Sequence, residues 1–477
     1  MPVTALPGSG PIGDLDAAGV FIDWLNDAGV RLWQILPLVS TDLDGSPYSS
    51  WSTLSGNPEL VGLGYCIRHG LLPEGTSLRP SGRVDYAASA QTKLPLVLQA
   101  ARCLVEDPNH HWAPDLARFT AEASWATDAA VFYALRRAHD DASWWDWPEP
   151  LRRYESATVS AAAQALSDDI AVWRAALFLF EQQWAEVRQM ASRKGIGLVG
   201  DMPIYVGLDS VDVWANQALF SLDDSGHPTA LSGVPPDAYS ETGQLWNTPL
   251  FDWGAVAAQG YQWWIDRVSR ALSQCDALRL DHFIGFTRFW SVPADAEFAL
   301  EGAWMPGPGR ALFDALLAAL GRLPLIAEDL GSVDPGTEAL RDGLELPGMR
   351  VIQFGLGTDA SELHHPSQYP ERCVAYASTH DSPTTRGYWE ALTPAQQVEL
   401  ALGDDGETAC RQMVDAVLAS KASWAMISWQ DIAALDDTAR INRPGVVQGN
   451  WRWRLAADAL SSPLAADFRE RLNRTCR

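Results

Sequence analysis

Residues 178–206 read FLFEQQWAEVRQMASRKGIGLVGDMPIYV, and this stretch carries the grammar of the fold. As far as Arg193 the apolar residues recur at helical spacing. Gly195 breaks the period, and IGLVGDMPIYV then forms the short apolar run of a buried strand. The same order returns at 14–38, where DLDAAGVFIDWLNDA leads through Gly29 to RLWQILPL. It returns again at 261–283 (YQWWIDRVSRALSQC, then ALRLDHF) and at 310–331 (RALFDALLAALG, then LPLIAEDLG). MRVIQFGL (349–356), CVAYASTHD (373–381) and WAMISWQD (424–431), the last after a helical pattern at 408–421, add three more strands. Alternating helices and buried strands of this kind predict a parallel sheet with helices outside it.

Four of these strands end in an acid: Asp201, Asp281, Glu328 and Asp381. In a (β/α)8 TIM barrel every strand points its carboxyl end at one face, so these carboxylates are expected to meet in one pocket. Mutually repelling carboxylates persist there when they bind a metal or perform acid–base and nucleophilic chemistry. A separate helix N-cap at each turn is the plainer alternative. Metal barrels set several His among their acids. Here only His282 and His380 stand at strand ends, so no metal and no cofactor are expected. A retaining glycosidase needs one carboxylate as nucleophile and another as acid–base. Arg279, two residues before Asp281 and so on the same strand face, is expected to lower the Asp281 pKa. Glu328 must hold its proton, and a neighbouring anion with partial burial acts in that direction.

The rest of the chain divides around this pattern. We expect residues 1–67 to begin the barrel, 68–190 to form a mostly helical insertion and 191–477 to complete the barrel, with an irregular loop at 206–255 over the site. The 477 residues carry 35 basic and 60 acidic side chains, a net charge of −25, which argues against nucleic acid or an anionic membrane as partner. Only Lys93, Lys194 and Lys421 are lysines, a bias that fits a GC-rich genome or a salt-adapted surface. The six cysteines show no metal spacing and read as reduced thiols. Without an apolar run long enough to span a bilayer, or the basic and apolar regions of a signal peptide at the N-terminus, a cytoplasmic protein is expected. Most of the 22 Trp, SWWDWPEP (143–150) included, are expected in packing, and His110–His111 and His364–His365 on the surface.

ALRLDHFIGF, LIAEDLG and STHD resemble the catalytic strand ends of the 4-α-glucanotransferases (amylomaltases, or disproportionating enzymes) of glycoside hydrolase family 77. DGSPYSSWSTLSGNPEL (44–60), WPEPLRR (147–153), GDMPIYVGLDSVDVW (200–214), SGVPPDAYSETGQLWNTPLFDW (232–253) and ARINRPGVVQGNWRWRL (439–455) extend the resemblance over almost the whole chain. It implies Asp281 as nucleophile, Glu328 as general acid–base and Asp381 as the residue that binds sugar hydroxyls and distorts the ring. It further implies Arg279 as the holder of Asp281, His380 on the same sugar as Asp381, Asp201 as an orienting group and Tyr48 stacked on the donor sugar. Tyr239 and Trp246 would line the acceptor path, and His282 would join the substrate contacts. The substrates would be an α-1,4-glucan or maltooligosaccharide donor and a sugar acceptor. A covering loop that excludes water would favour transfer over hydrolysis.

Three departures from the family pattern stand out. The chain opens MPVTALPG where the family carries a longer apolar strand, so a first strand truncated to about residues 2–6, or a start placed too late, is expected. Ser382 and Pro383 follow Asp381 where Asn is usual, and Pro383 removes a main-chain donor. Ile284 stands at a usual Arg position. These departures leave an α-glucan hydrolase, or a non-catalytic glucan-binding relative, as alternatives to a transferase.

Overall fold

The computed structural model describes every residue except 9, 43, 237–240, 358–361, 447 and 476. Strands β1 (Leu32–Gln34), β2 (Gly197–Met202), β3 (Ala230–Val234), β4 (Gln244–Pro249), β5 (Ala277–Leu280), β6 (Arg288–Pro293), β7 (Ala303–Pro306), β8 (Leu325–Ala327), β9 (Gly348–Val351), β10 (Cys373–Tyr376) and β11 (Trp424–Met426) form two sheets. The larger is parallel, in the order β1-β2-β5-β8-β9-β10-β11. All seven of its strands are those read from the alternating pattern, and they curl into a nearly closed TIM barrel. Among the described residues no ladder joins β11 back to β1.

Period-two alternation decides which side chains enter the barrel. Val199, Ala277, Ile326, Met349, Val351, Val374, Tyr376 and Met426 make a buried cluster of their own, separate from the large core beneath the helices. The carboxyl-end layer above them carries the acids. Outside lie the helices Leu15–Asp27, Gln262–Gln274, Arg310–Leu320, Gly406–Ala419 and Ser462–Arg474. The first begins where the Asp14 side chain accepts from the Ala17 amide, and the Asp14 carboxylate is in turn paired with the fully buried Lys93 at 3.0 Å. Arg454 donates to the carbonyls of Leu6, Gly8, Gly10, Ile12 and Ser81, fixing the otherwise irregular opening segment against the barrel.

Two expectations change. Residues Val3–Ala5 form a 3-10 turn, so no shortened strand lies at residues 2–6. Pro2 lacks a main-chain N–H and Val3–Ala5 turn, so residues 2–6 form no ladder. Instead the Met1 amino group donates to the Gln34 carbonyl at 3.1 Å, and Trp33 Nε1 donates to the Met1 carbonyl at 2.8 Å. The stretch 206–255 is also less irregular than its Gly and Pro content suggests. It contributes β3 and β4 to the second sheet, ordered β4-β3-β6-β7 and antiparallel throughout. Its two strands pair through Gly233 and around a bulge, so the alternation is too short and broken to read locally.

Between β1 and β2 the described chain carries the helices from Leu63–Arg68 to Ser167–Arg193 and none of the eleven strands. Its longest helix, Ser167–Arg193, packs on Leu15–Asp27 at one side and on the helices Leu94–Glu106 and Ser124–Ala138 at the other. Trp144 and Trp147 of the SWWDWPEP stretch are buried. No helix of the described residues is long and apolar enough to cross a membrane.

Candidate active site

Arg279 is the hub of the carboxyl-end layer. Its NH1 donates to both oxygens of Asp201, at 2.8 and 2.9 Å, and its NH2 lies 2.8 Å from Oδ1 of Asp281. Register explains the first pair: Asp201 stands directly opposite Arg279 in the β2–β5 ladder. Arg279 and Asp201 have side-chain exposures of 4% and 0%, whereas Asp281 is 25% and Asp381 41% exposed. The first two are therefore internal scaffolding, and the others open to the cleft.

Tyr48 enters from the loop after β1. Its hydroxyl donates to Asp201 Oδ2 at 2.8 Å and lies 2.9 Å from His380 Nε2, with its ring stacked on the imidazole at 13°. That loop is pinned from behind, since Thr53 donates through its amide and hydroxyl to the buried Asp212. His380 Nε2 lies 3.2 Å from Asp381 Oδ2. On its other side Asp381 accepts from Asn442 Nδ2 at 2.6 Å, and Arg440 donates to the Asp381 carbonyl at 2.6 Å. Ser382 closes the turn by accepting from the Thr379 amide at 3.0 Å, and the Pro383 carbonyl accepts from Gln353.

Glu328 follows β8. Its two oxygens accept from the main-chain amides of His282 (2.7 Å) and Leu330 (3.0 Å). The His282 amide points there because that residue adopts a left-handed conformation, φ 51° and ψ 54°, immediately after Asp281. The same turn sends the imidazole toward Trp246 of β4, edge to face at 4.8 Å and 89°. Ile284, in the next turn, is buried in the core.

Electrostatics separate the acids. Burial raises Glu328 to about 8, with the Asp281 charge adding to it and Arg279 and the two amides opposing it. Burial also raises Asp281, to about 6; Arg279 acts in the expected downward direction, but burial and the charges of Asp201 and Asp381 outweigh it. The expectation of a lowered Asp281 is thus corrected. Burial resists ionisation of Asp381, yet His380, Asn442 and Arg279 together hold it well below the ordinary range. Burial favours neutral His380, and Asp381 overrides this and raises it. Burial alone lowers His282 to about 4, leaving a neutral imidazole at pH 7. Tyr48 is raised by burial and the nearby carboxylates and stays a neutral donor.

The structure therefore brings Tyr48, Asp201, Arg279, Asp281, His380 and Asp381 into one bonded network, with Glu328 beside it and His282 and Trp246 at its edge. Tyr239 lies outside the described residues. Asn442, Arg440 and Trp451 were not singled out by sequence reasoning. Trp451 packs on both Tyr48 and His380, at 5.8 and 5.9 Å. Asn442 is 61 positions from Asp381 in a segment with no strand or helix pattern, and the family resemblance of residues 439–455 is the only signal that could have pointed to it.

The 4-alpha-glucanotransferase family model matches residues 1–460. The chain is 43% identical, over 98% of its length and 82% of the relative's, to the chloroplastic/amyloplastic 4-alpha-glucanotransferase DPE1 of Oryza sativa subsp. japonica. It is 39% identical to the 4-alpha-glucanotransferase of Thermus thermophilus, over 98% of this chain and 96% of that one. Among solved structures it is similar to the amylomaltase from Streptococcus agalactiae in complex with acarbose, with a TM-score of 0.95, 32% identity, and coverage of 100% of this chain and 98% of that one.

Proposed function

The chain belongs to the 4-α-glucanotransferase family and has its activity, the transfer of glucan segments; from that premise we propose how its own residues carry out the reaction. Asp281 is the nucleophile and Glu328 the general acid–base of a retaining transfer between α-1,4-glucans. The observation that carries this reading is the pairing of Asp281 with Arg279 at 2.8 Å beside Glu328, whose two oxygens are held by the His282 and Leu330 amides. At neutral pH a carboxyl that titrates near 6 is ionised while its neighbour near 8 is protonated, which are the states that attack and leaving-group protonation require.

The steps follow from these states. An Asp281 oxygen bonds to the anomeric carbon of the donor sugar as the glycosidic bond breaks. The bonding pair leaves with the aglycone oxygen, which takes the Glu328 proton. Glu328, now ionised, removes the proton from a sugar 4-OH, and that oxygen displaces Asp281 to form a new α-1,4 bond. Two displacements restore the starting configuration. Arg279 aims Asp281 while Asp201 fixes Arg279. Asp381, held ionised, accepts from sugar hydroxyls with His380 beside it, and Tyr48 gives the donor sugar an aromatic face. Trp246 lines the acceptor path, with His282 beside it.

Maltotriose tests both the activity and the assignment. Glucose with maltopentaose and longer products is expected, and Asp281→Asn is expected to abolish them. Maltose and glucose without longer products would indicate a hydrolase, and an unimpaired Asp281→Asn variant would remove the nucleophile assignment. We also assign the protein to the cytoplasm, supported by the five described cysteines, all free.

A further inference from the structure

The two residues that follow β8 point in opposite directions. Ile326 belongs to the barrel interior, so by alternation Glu328 faces the cleft and Asp329 faces outward, toward the helices. The Asp329 side chain is nonetheless only 1% exposed. Its Oδ1 accepts from the Met349 amide of β9 at 2.6 Å. Its Oδ2 pairs with Arg341 of the helix Pro335–Gly343 and lies 3.4 Å from Arg350 NH1, which also donates to the Met349 carbonyl at 2.6 Å. The approach to β9 is close. A Cβ at Gly348 would stand 2.4 Å from Asp329 Oδ2, so the contact requires glycine there.

This anchor sits one peptide bond from a donor to Glu328. Glu328 Oε1 accepts from the Leu330 amide at 3.0 Å, and that N–H belongs to the peptide unit that begins at the Asp329 carbonyl. Gly331, at φ 85°, then turns the chain, and the next helix starts only at Pro335. The Asp329 side chain is thus what fastens this peptide unit to the neighbouring strand. We propose that Asp329 is a positioning residue for the known reaction: clamped to β9 and to Arg341, it fixes the Leu330 N–H and through it the direction in which Glu328 gives up and recovers its proton. This rests on the assignment of Glu328 as general acid–base. A second route leads elsewhere, because Met349 Sδ lies 3.4 Å from Arg279 Nε, and Arg279 holds Asp281. The experiment must therefore separate the proton-transfer group from the nucleophile.

Two donors make that separation. With maltotriose, Glu328 acts in both displacements. With α-maltotriosyl fluoride and azide it acts in neither. The C1–F bond breaks as an Asp281 oxygen bonds to C1, and fluoride leaves with the bonding pair and no proton. Azide then displaces Asp281 through its own lone pair to give α-maltotriosyl azide, with no proton to remove. Asp329→Asn keeps the shape and turns an amide N–H toward Arg341. Arg341→Met, at the 12% exposed end of the clamp, removes one partner and leaves the Met349 amide and Arg350 in place. Displacement of a proton-transfer group by a fraction of an ångström to 1 Å costs up to about 100-fold. Asp329→Asn is expected to lower kcat on maltotriose by about 30-fold and Arg341→Met by about fivefold, with KM within about twofold of the parent. Both should form α-maltotriosyl azide within about threefold of the parent rate, as should the reference variant Glu328→Gln. Equal losses with both donors in the Asp329 and Arg341 variants, beside a Glu328→Gln variant that retains azide formation, would place the effect on the fold or on Arg279 and overturn the proposal alone. Unchanged turnover of maltotriose in Asp329→Asn would do the same. Unchanged turnover of maltotriose in Glu328→Gln would overturn the assignment of Glu328 and the proposal with it.

Discussion

Asn442 Nδ2 donates to Oδ1 of Asp381 at 2.6 Å, on the side of the carboxylate opposite His380. The Asn442 amide also donates to the His380 carbonyl at 3.1 Å, so one loop residue holds both members of the pair. Asp381 is 41% exposed on its side chain and would otherwise be free to turn. A hydrogen bond to a charged group contributes about 1.5–3 kcal/mol. Asn442→Ala is therefore expected to lower kcat/KM on maltotriose by about 10- to 100-fold. An unchanged rate would show that His380 alone holds the carboxylate.

The activity should be bell-shaped in pH. Asp281 must be ionised, so the rate falls as pH drops through about 6. Glu328 must be protonated for the first displacement, so the rate falls as pH climbs through about 8. The two acids interact, and the limbs report the pair. Initial-rate kcat/KM between pH 4 and 10 measures this. A flat profile from 5 to 9 would contradict the division of roles.

Stability should record the same proton. The folded Glu328 titrates near 8 against an ordinary 4.5, so between these values the folded chain keeps a proton that the unfolded chain releases. Stability contributed by this group therefore falls as pH rises across that window. Glu328→Gln removes the ionisation at a pH-independent cost in hydrogen bonding to the His282 and Leu330 amides. Its Tm relative to the parent should rise steadily from pH 5 to 8 and level off above, with a gain over that window of at least about 1 kcal/mol. A difference that stays constant or shrinks over the window would show that the folded Glu328 releases its proton at an ordinary pKa.

Arg279 is the point where stability and activity cannot be separated. Replacing it with Ala leaves Asp201, with no side-chain exposure, bonded only to Tyr48 among the side chains of the described residues. Stranding one partner of a buried pair costs about 3–5 kcal/mol. Arg279→Ala is expected to lose that much in urea unfolding, while the double variant Arg279→Met with Asp201→Leu recovers most of the stability and none of the activity. Failure of the double variant to recover stability would point to packing against Met349 as the dominant role.

The parallel strands and the four acids at their ends were legible because each depends on a few contiguous residues: a helical period, a glycine and an apolar run. Arg279 was legible through its spacing from Asp281. Its effect on that carboxyl was not, since burial and the charges of Asp201 and Asp381 come from other strands. β3, β4, β6 and β7 were missed because antiparallel pairing joins 230–249 to 288–306, and Gly233 and the bulge beside it obscure the alternation. Asn442, Arg440 and Trp451 are supplied by a loop that only the closed fold carries to Asp381.

Trp246 offers the sharpest test of why transfer is preferred to hydrolysis. It packs edge-on against His282, the residue whose amide holds Glu328, and its indole N–H is fixed by Gln244 at 3.3 Å. On the proposed role, removing the indole opens the acceptor path to water while leaving Asp281, Arg279 and Asp381 in place. Trp246→Ala is expected to form the glucosyl-enzyme at close to the parent rate but to lose acceptor placement. The ratio of maltopentaose formed to new reducing ends released from maltotriose should then fall by about tenfold. The His282 pKa, lowered by burial to about 4, should rise toward its ordinary value as its cover is lost, measurable by NMR titration of the imidazole. An unchanged product ratio together with a risen His282 pKa would show that Trp246 does not exclude water from the cleft.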